Sequence, residues 1–325
     1  MSSMIVTGGT GFIGLGLVRA LLSQGHHVTM LSRKSAEQAR VLFTDQDRDH
    51  LSWITTDLAH QDSGLPTKLQ PFLVPEAVLF HCAGEVKDPD VMQALHVDGT
   101  ARLIEATRGK LNTWVQLSSV GAYGPKHQGI VTETTPEAPV GPYETSKTQA
   151  DELVRSAALD GAFSARILRP AIVIGPDMPN DALRQIISVL YRRRFVYFGK
   201  KTALTNYVAV DNLIEALIAC PSAQGEICEV FNLAETRPLH EVIDALSRGL
   251  GIIPPSRRIP LALVYAAASL GRVVPGFPLT RSRADALSST ASYDSDKLAQ
   301  NSSYSPVTDV LTMARHMAQL WRAAR

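Results

Sequence analysis

Residues 5–14, IVTGGTGFIG, carry a short apolar stretch directly into three glycines at fixed intervals, Gly8, Gly11 and Gly14, and from there into the helical pattern FIGLGLVRALLSQ. Few folds call for that. Glycine inside a regular element costs about 0.5–1 kcal/mol relative to alanine, so a regular run of glycines needs a backbone reason. A strand-to-helix turn over a dinucleotide supplies one. Gly8 permits the tight turn, Gly11 lets a pyrophosphate reach the backbone, and Gly14 lets helix and strand pack closely. Phe12, Ile13 and Gly14 then open a helix whose free N–H groups and positive dipole end suit phosphate.

The rest of the first half repeats this alternation. Strands are expected at MIVTG, HVTML, LSWITT, AVLFHCAG, TWVQLSSV and SARILRPAIVIG. Between them lie the helical patterns FIGLGLVRALLSQG, DPDVMQALHVDGTARLIEATRG and ETSKTQADELVRSAALDG. Alternation of this kind predicts an α/β fold: a doubly wound parallel Rossmann sheet, with ligands bound at the carboxyl ends of its strands. After about residue 175 the pattern becomes irregular and Pro-rich, which predicts a smaller, mostly helical C-terminal substrate lobe. NYVAV (206–210) and EVFNLA (229–234) still have strand character. The expected division is therefore residues 1–175, with 205–235 returning to the sheet, against a lobe of 176–204 and 236–325.

Composition narrows the function classes. With 325 residues, 45% hydrophobic and 19% charged, the chain matches an ordinary soluble globular protein. Lys+Arg 32 against Asp+Glu 31, a net charge of +1, argues against a nucleic-acid partner. The N-terminus has no basic-then-apolar leader, so a cytoplasmic home is expected. Cys82, Cys220 and Cys228, odd in number and without a CxxC pair, fit reduced thiols, and no metal site is indicated. The longest apolar run, IPLALVYAAASLG at 259–271, is too short to span a bilayer. It is expected as a buried helix, the alternative being a peripheral helix at a membrane surface.

Strand ends supply the candidate binding residues. After HVTML come Ser32, Arg33 and Lys34, where a 2′-hydroxyl would call for Asp or Glu and a 2′-phosphate for Arg. That favours NADP(H) over NAD. Asp57 and Leu58 end the third strand, where a carboxylate can accept from an adenine amino group. Cys82, Ala83 and Gly84 end the fourth, small enough for the chain to run beside a cofactor. His81 and Cys82 point to opposite faces and are expected only to pack. Ser118 and Ser119 end the fifth, and Tyr143 and Lys147 stand four apart at the start of a helix, on one face. A phenol of pKa about 10 beside an ammonium moves toward the operating pH, which suits acid–base work. A serine hydroxyl could polarise the same substrate oxygen.

TGGTGFIG, the DL of TTDL, HCAG, HVDGTARLIEAT, LSSVGAYG, PYETSK, LRPAIVIGP and NYVAVDNLIEAL together resemble the extended short-chain dehydrogenase/reductases over residues 5 to about 218. The resemblance implies that Tyr143 is the acid/base, that Lys147 lowers its pKa and contacts the nicotinamide ribose, and that Ser119 holds the substrate oxygen beside Ser118. It also implies that Pro170 and Ile172 lie near the nicotinamide amide. The family's usual Asn is His96 here, a change that His can serve by donating similar hydrogen bonds. The ending PLTRSRADALSSTASYDSDKLAQNSSYSP is similar to a 3β-hydroxysteroid dehydrogenase-like and ketoreductase-like branch that acts on bulky apolar molecules.

The expected activity is interconversion of a ketone and a secondary alcohol, with Glu85, Val86, Ser119, Tyr123 and Met178 toward the small-molecule substrate. One alternative is a nucleotide-sugar epimerase or dehydratase, with Arg192, Arg193, Arg194, Lys200, Lys201 and Arg237 as diphosphate candidates; Val120 beside the serine counts against a dehydratase. Another is a non-catalytic NADP-binding sensor. The resemblance further implies a homodimer through the helices of HVDGTARLIEATR and YETSKTQADELVRSAAL.

Overall fold

The computed structural model describes residues 3–62, 64–126, 128–179, 181–199, 203–260, 262–264 and 289–325. Its strands, in chain order, are β1 Ser3–Thr7, β2 His27–Ser32, β3 Leu51–Thr55, β4 Val78–His81, β5 Thr113–Leu117, β6 Gln128–Val131 and β7 Ser164–Pro170. They continue with β8 Ile172–Ile174, β9 Tyr197–Phe198, β10 Leu204–Ala209, β11 Cys228–Leu233, β12 Glu235–Pro238, β13 Arg258–Ile259 and β14 Thr290–Tyr293. Seven of them form a parallel sheet in the order β11-β7-β5-β4-β1-β2-β3. The Rossmann-like architecture expected from the alternation is the observed one.

Alternate residues of β1 divide the core. Met4 and Val6 pack with Leu17, Val18 and Leu21 of the helix Phe12–Ser23 and with Leu213 and Leu217 of the helix Val210–Ala219. Ile5 faces the other way, among Leu103, Trp114 and Val154, over the helices Gly99–Thr107 and Pro142–Leu159. A period of two in a strand covered on both faces explains why every position of β1 from Met4 to Thr7 is buried. A separate cluster builds on Leu183, Ile187, Val242, Leu246, Met313 and Met317, from the helices Ala182–Tyr191, Leu239–Leu250 and Val310–Ala323.

Two expected strands come out differently. SARILRPAIVIG divides at Ala171: β7 stays in the large sheet, and Ile172–Ile174 pairs with β10 in a three-stranded sheet completed by β12. NYVAV therefore lies in that small sheet, whereas 228–233 pairs with β7 at the edge of the large one. Apolar alternation is the same in both sheets, so the sequence pattern cannot say which partner a strand takes. The helical pattern from Pro89 is interrupted by a wide turn at Gln93–Asp98 before Gly99–Thr107. Ile259 belongs to β13 rather than to a helix, and most of 259–271 lies outside the described residues. No described helix is long and apolar enough to cross a membrane.

Candidate active site

Gly8 has φ +67°, and a Cβ there would stand 2.9 Å from the Ala83 backbone. At Gly14 a Cβ would come 2.3 Å from the Gly8 carbonyl oxygen. Gly8 thus makes the turn and also admits the end of β4, while Gly14 seats the helix on the turn. Gly11 is exposed, and a Cβ there would stand 3.1 Å from the Gly8 carbonyl oxygen, a tighter fit than side chains usually make. The helix Phe12–Ser23 starts with no side-chain cap and no acidic residue in its first turn, so the N–H groups at Phe12, Ile13 and Gly14 suit an anion such as a pyrophosphate. The residues present fit a dinucleotide.

Thr10 ties the loop to buried Ser32 through their hydroxyls, 3.0 Å apart, and the Lys34 amide donates to the Ser32 hydroxyl at 3.1 Å. Arg33 and Lys34 are exposed at the end of β2. The Asp57 carboxylate accepts from the Ala59 amide and pairs with His60 at 3.2 Å, which makes it a turn-former, and Leu58 is buried in the core. Cys82 and Ala83 are half-buried and Gly84 exposed; burial pushes the Cys82 thiol up to about 12. Pro170 is buried, whereas Ile172 is 47% exposed just beyond it.

Opposite the glycine loop, the helix Pro142–Leu159 meets the end of β5 at three successive turns. Near Glu144, a Cβ at Gly121 would stand 2.7 Å from the glutamate Cγ. One turn on, Lys147 donates to the Leu117 carbonyl. At the next, the Ser118 hydroxyl donates to the Asp151 carboxylate at 2.6 Å. Ser119, between these contacts, accepts from the Gly121 amide at 3.1 Å, capping the short helical turn Val120–Tyr123 and keeping its own proton for donation. Ser118 is therefore bonded to Asp151, and Ser119 is a half-buried hydroxyl between Ser118 and the turn Val120–Tyr123.

The titration of the pair departs from what the spacing predicts. Burial pushes the Tyr143 phenol up to about 12, with the charges of Glu144 and Asp151 acting in the same direction. Lys147 is itself buried, which pushes its pKa down against the opposing pull of Asp151 and Cys82. Its ammonium donates to the Leu117 carbonyl. An i, i+4 spacing specifies a shared face, not the direction of the charge.

A buried polar chain runs behind the site. The Ala83 amide donates to the Thr7 hydroxyl at 3.1 Å, Thr7 meets His81 Nδ1 at 2.7 Å, and His81 Nε2 meets Thr100 at 3.0 Å. Thr100 donates to the His96 carbonyl. His96 Nε2 accepts from the Glu85 amide at 2.9 Å, so Nδ1 carries the proton to Ser146 at 2.8 Å, and Ser146 donates to the Tyr143 carbonyl at 3.1 Å. The Tyr143 ring stands edge-on to His96, with centroids 5.7 Å apart. Burial, with Lys147 behind it, lowers both histidines to about 3, which keeps them neutral at physiological pH. His81 is thus a hydrogen-bonding link as well as a packed side chain.

The substrate-side residues are divided. Glu85 accepts from the amides of Val86, Lys87 and Asp88, and those backbone bonds hold its carboxyl below the usual range. Val86 is 51% exposed beside it. The structure does not bring Tyr123 or Met178 to that surface. Tyr123 is fully buried, donating to Asn232 at 2.7 Å beneath the Arg169 guanidinium, and Met178 lies in the helical core. Both are apolar enough to be taken into packing that the sequence does not display. Arg237 pairs with Glu235 at 2.7 Å, Arg192–Arg194 are exposed after the helix Ala182–Tyr191, and Lys200 and Lys201 lie outside the described residues. Among the described residues no three His, Cys, Asp or Glu side chains are grouped to hold a metal.

Thr7, Thr100, Ser146, Asp151 and Arg169 were not visible as site residues in the sequence. Ser146 and Asp151 do share the Tyr143 helix face at a spacing that could have pointed to them.

Residues 4–234 match the model of the NAD dependent epimerase/dehydratase family. A UDP-glucose 4-epimerase of Mycolicibacterium smegmatis is 28% identical over 74% of this chain and 80% of its own. A 4-hydroxy-2-methyl-3-oxo-4-farnesyl-3,4-dihydroquinoline-1-oxide ketoreductase of Stigmatella aurantiaca is 27% identical over 87% of this chain and 83% of its own. Among solved structures, UDP-glucuronic acid 4-epimerase from Bacillus cereus in complex with NAD superposes with a TM-score of 0.73 at 21% identity, covering 98% of this chain and 99% of that one. At that identity the likeness shows the fold.

Proposed function

The chain belongs to the NAD dependent epimerase/dehydratase family, whose members act on CH–OH groups with a nicotinamide cofactor, and from that premise we propose that it is an NADP(H)-dependent oxidoreductase interconverting a ketone and a secondary alcohol on a bulky, largely apolar substrate. The observation that carries this reading is the three-turn contact between the Tyr143 helix and the end of β5, the strand that Ser119 follows. In it the Ser119 hydroxyl donates to the substrate oxygen and steadies its developing charge. Tyr143 Oη holds the proton that this oxygen gains or loses. A phenol that burial keeps protonated is suited to giving that proton to a ketone being reduced.

The turn from Gly8 to Gly14 would hold the pyrophosphate, with Ser32, Arg33 and Lys34 at the far ribose. When bound, the nicotinamide supplies or accepts the hydride. Exposed Arg33, with no acidic residue next to it on β2, supports a 2′-phosphate. Exposed Val86, beyond the end of β4, and Ile172, which opens β8, support an apolar substrate, as does the farnesylated compound in the ketoreductase relative's name.

The test is NADPH consumption by the purified chain against panels of bulky apolar ketones, β-keto acyl compounds and UDP-sugars. Ketone-dependent consumption that is lost in Tyr143→Phe is expected. Turnover of a UDP-sugar alone, with a nicotinamide that stays bound through the cycle, would replace this reading with the epimerase one, which the epimerase relative favours.

A further inference from the structure

We propose that Asp151 is a positioning residue for the Ser119–Tyr143–Lys147 group: partnered by Arg169, its carboxylate fastens the end of β5 to the helix Pro142–Leu159 and supplies the counter-charge of the buried Lys147 ammonium. The proposal rests on the reading above only in taking that group as the reactive one.

The carboxylate is fully buried. All its hydrogen bonds converge on Oδ2, from Ser118 at 2.6 Å and from Arg169 Nε and Nη2 at 3.2 and 3.0 Å. Oδ1 is buried without a hydrogen-bond partner. A carboxylate in that position is tolerable only if positive charge surrounds it. Burial pushes the Asp151 carboxyl up; Arg169 opposes this as a direct ion pair at 3.0 Å, and Lys147, one turn back on the same helix without an ion-pair contact, acts in the same sense. Arg169 continues the alternation outward: its Nη2 also donates to Glu137 at 2.5 Å, and Arg155 reaches Glu137 at 3.1 Å near the surface. Lys147, Asp151, Arg169, Glu137 and Arg155 thus form a line of alternating sign from the reactive group to solvent.

Asp151 is the carboxylate that opposes the effect of burial on Lys147. The other groups acting near that ammonium are Cys82 at the end of β4, the neutral His81 and His96, and Tyr143 on its own helix. Of these only the thiol and the phenol could add negative charge, and burial keeps both protonated. Removing the carboxylate therefore leaves Lys147 buried without a counter-charge and frees Ser118, the neighbour of Ser119, from the helix.

The test uses the full chain and two readouts. Lysine side-chain NMR, with the Lys147 signal assigned by its loss in Lys147→Arg, gives the titration midpoint without any substrate. The pH profile of ketone reduction gives the kinetic counterpart. In Asp151→Asn the Lys147 midpoint is expected to fall by about one pH unit or more, with the alkaline limb of the rate profile following it, and Asp151→Glu is expected to restore most of the midpoint. Ser118→Ala keeps the charge and cuts the fastening, so kcat is expected to drop about tenfold with KM changing less than about threefold. An unchanged Lys147 midpoint in folded Asp151→Asn overturns the proposal. If that variant does not fold, an unchanged kcat in Ser118→Ala overturns it instead. A wild-type chain that reduces no ketone defeats the functional reading alone, because the NMR titration still decides the role of Asp151.

Discussion

At the carboxyl edge of the sheet, the two banks of the candidate site are made of different materials. The glycine loop after β1 is nearly all backbone: its shape depends on the missing Cβ atoms of Gly8 and Gly14, and its chemistry on uncapped amides. The bank after β5 is built from side chains, with Ser118, Lys147, Asp151 and Arg169 buried and bonded to one another and to main chain. A backbone cradle suits a cofactor of fixed shape, because its amides are in place before binding. A side-chain bank suits proton transfer, because burial and neighbouring charge set each group's affinity for its proton.

Substitutions on each bank should therefore fail differently. The largest expected effect is at Tyr143→Phe, which removes the proton donor and should cost roughly a thousandfold or more in turnover while leaving NADP(H) affinity within about threefold. Steady-state rates and cofactor titration check this; retained turnover would remove Tyr143 from the chemistry. Gly14→Val should do the reverse. Its Cβ would collide with the Gly8 carbonyl, so cofactor binding should be lost along with roughly 3 kcal/mol of stability, read by dinucleotide titration and chemical denaturation. Arg33→Ala should weaken NADPH about 10- to 100-fold while barely changing NADH, as expected for one charged hydrogen-bonding partner of a phosphate. Equal losses for the two would reverse the cofactor reading.

A further effect concerns pH. His81 and His96 have folded pKa values near 3, far below the ordinary 6.5. The unfolded chain takes up protons that the folded chain refuses, so stability is present above about pH 6.5 and lost as the pH falls from there toward 3, by at most about 1.4 kcal/mol per unit for each histidine. Thermal melts across that window should show the decline, and His96→Asn should make it shallower. An unchanged slope would mean that His96 is protonated in the folded protein.

The same contrast accounts for what was legible in the chain. The glycine loop was readable because its constraint is local, three residues within one turn. Ser119, Tyr143 and Lys147 were readable as residue types at known spacings. Ser118 was expected beside a cofactor, and its bond to Asp151 was not legible, while Tyr123 and Met178 were expected near substrate and are buried. Nothing in a linear pattern separates an aromatic that lines a cleft from one packed beneath an arginine. The unequal fates of 206–210 and 229–234 have the same origin, since strand character is local and strand pairing is not.

By itself, the order of residues determined the alternating layers, the phosphate-binding turn and the side chains available for proton transfer, because those follow from backbone sterics and periodicity over a few residues. Tertiary structure alone decided which charge faces which. The His96–Ser146 and Asp151–Arg169 contacts join residues 50 and 18 positions apart, and the direction in which burial moves the phenol and the ammonium depends on everything packed around them.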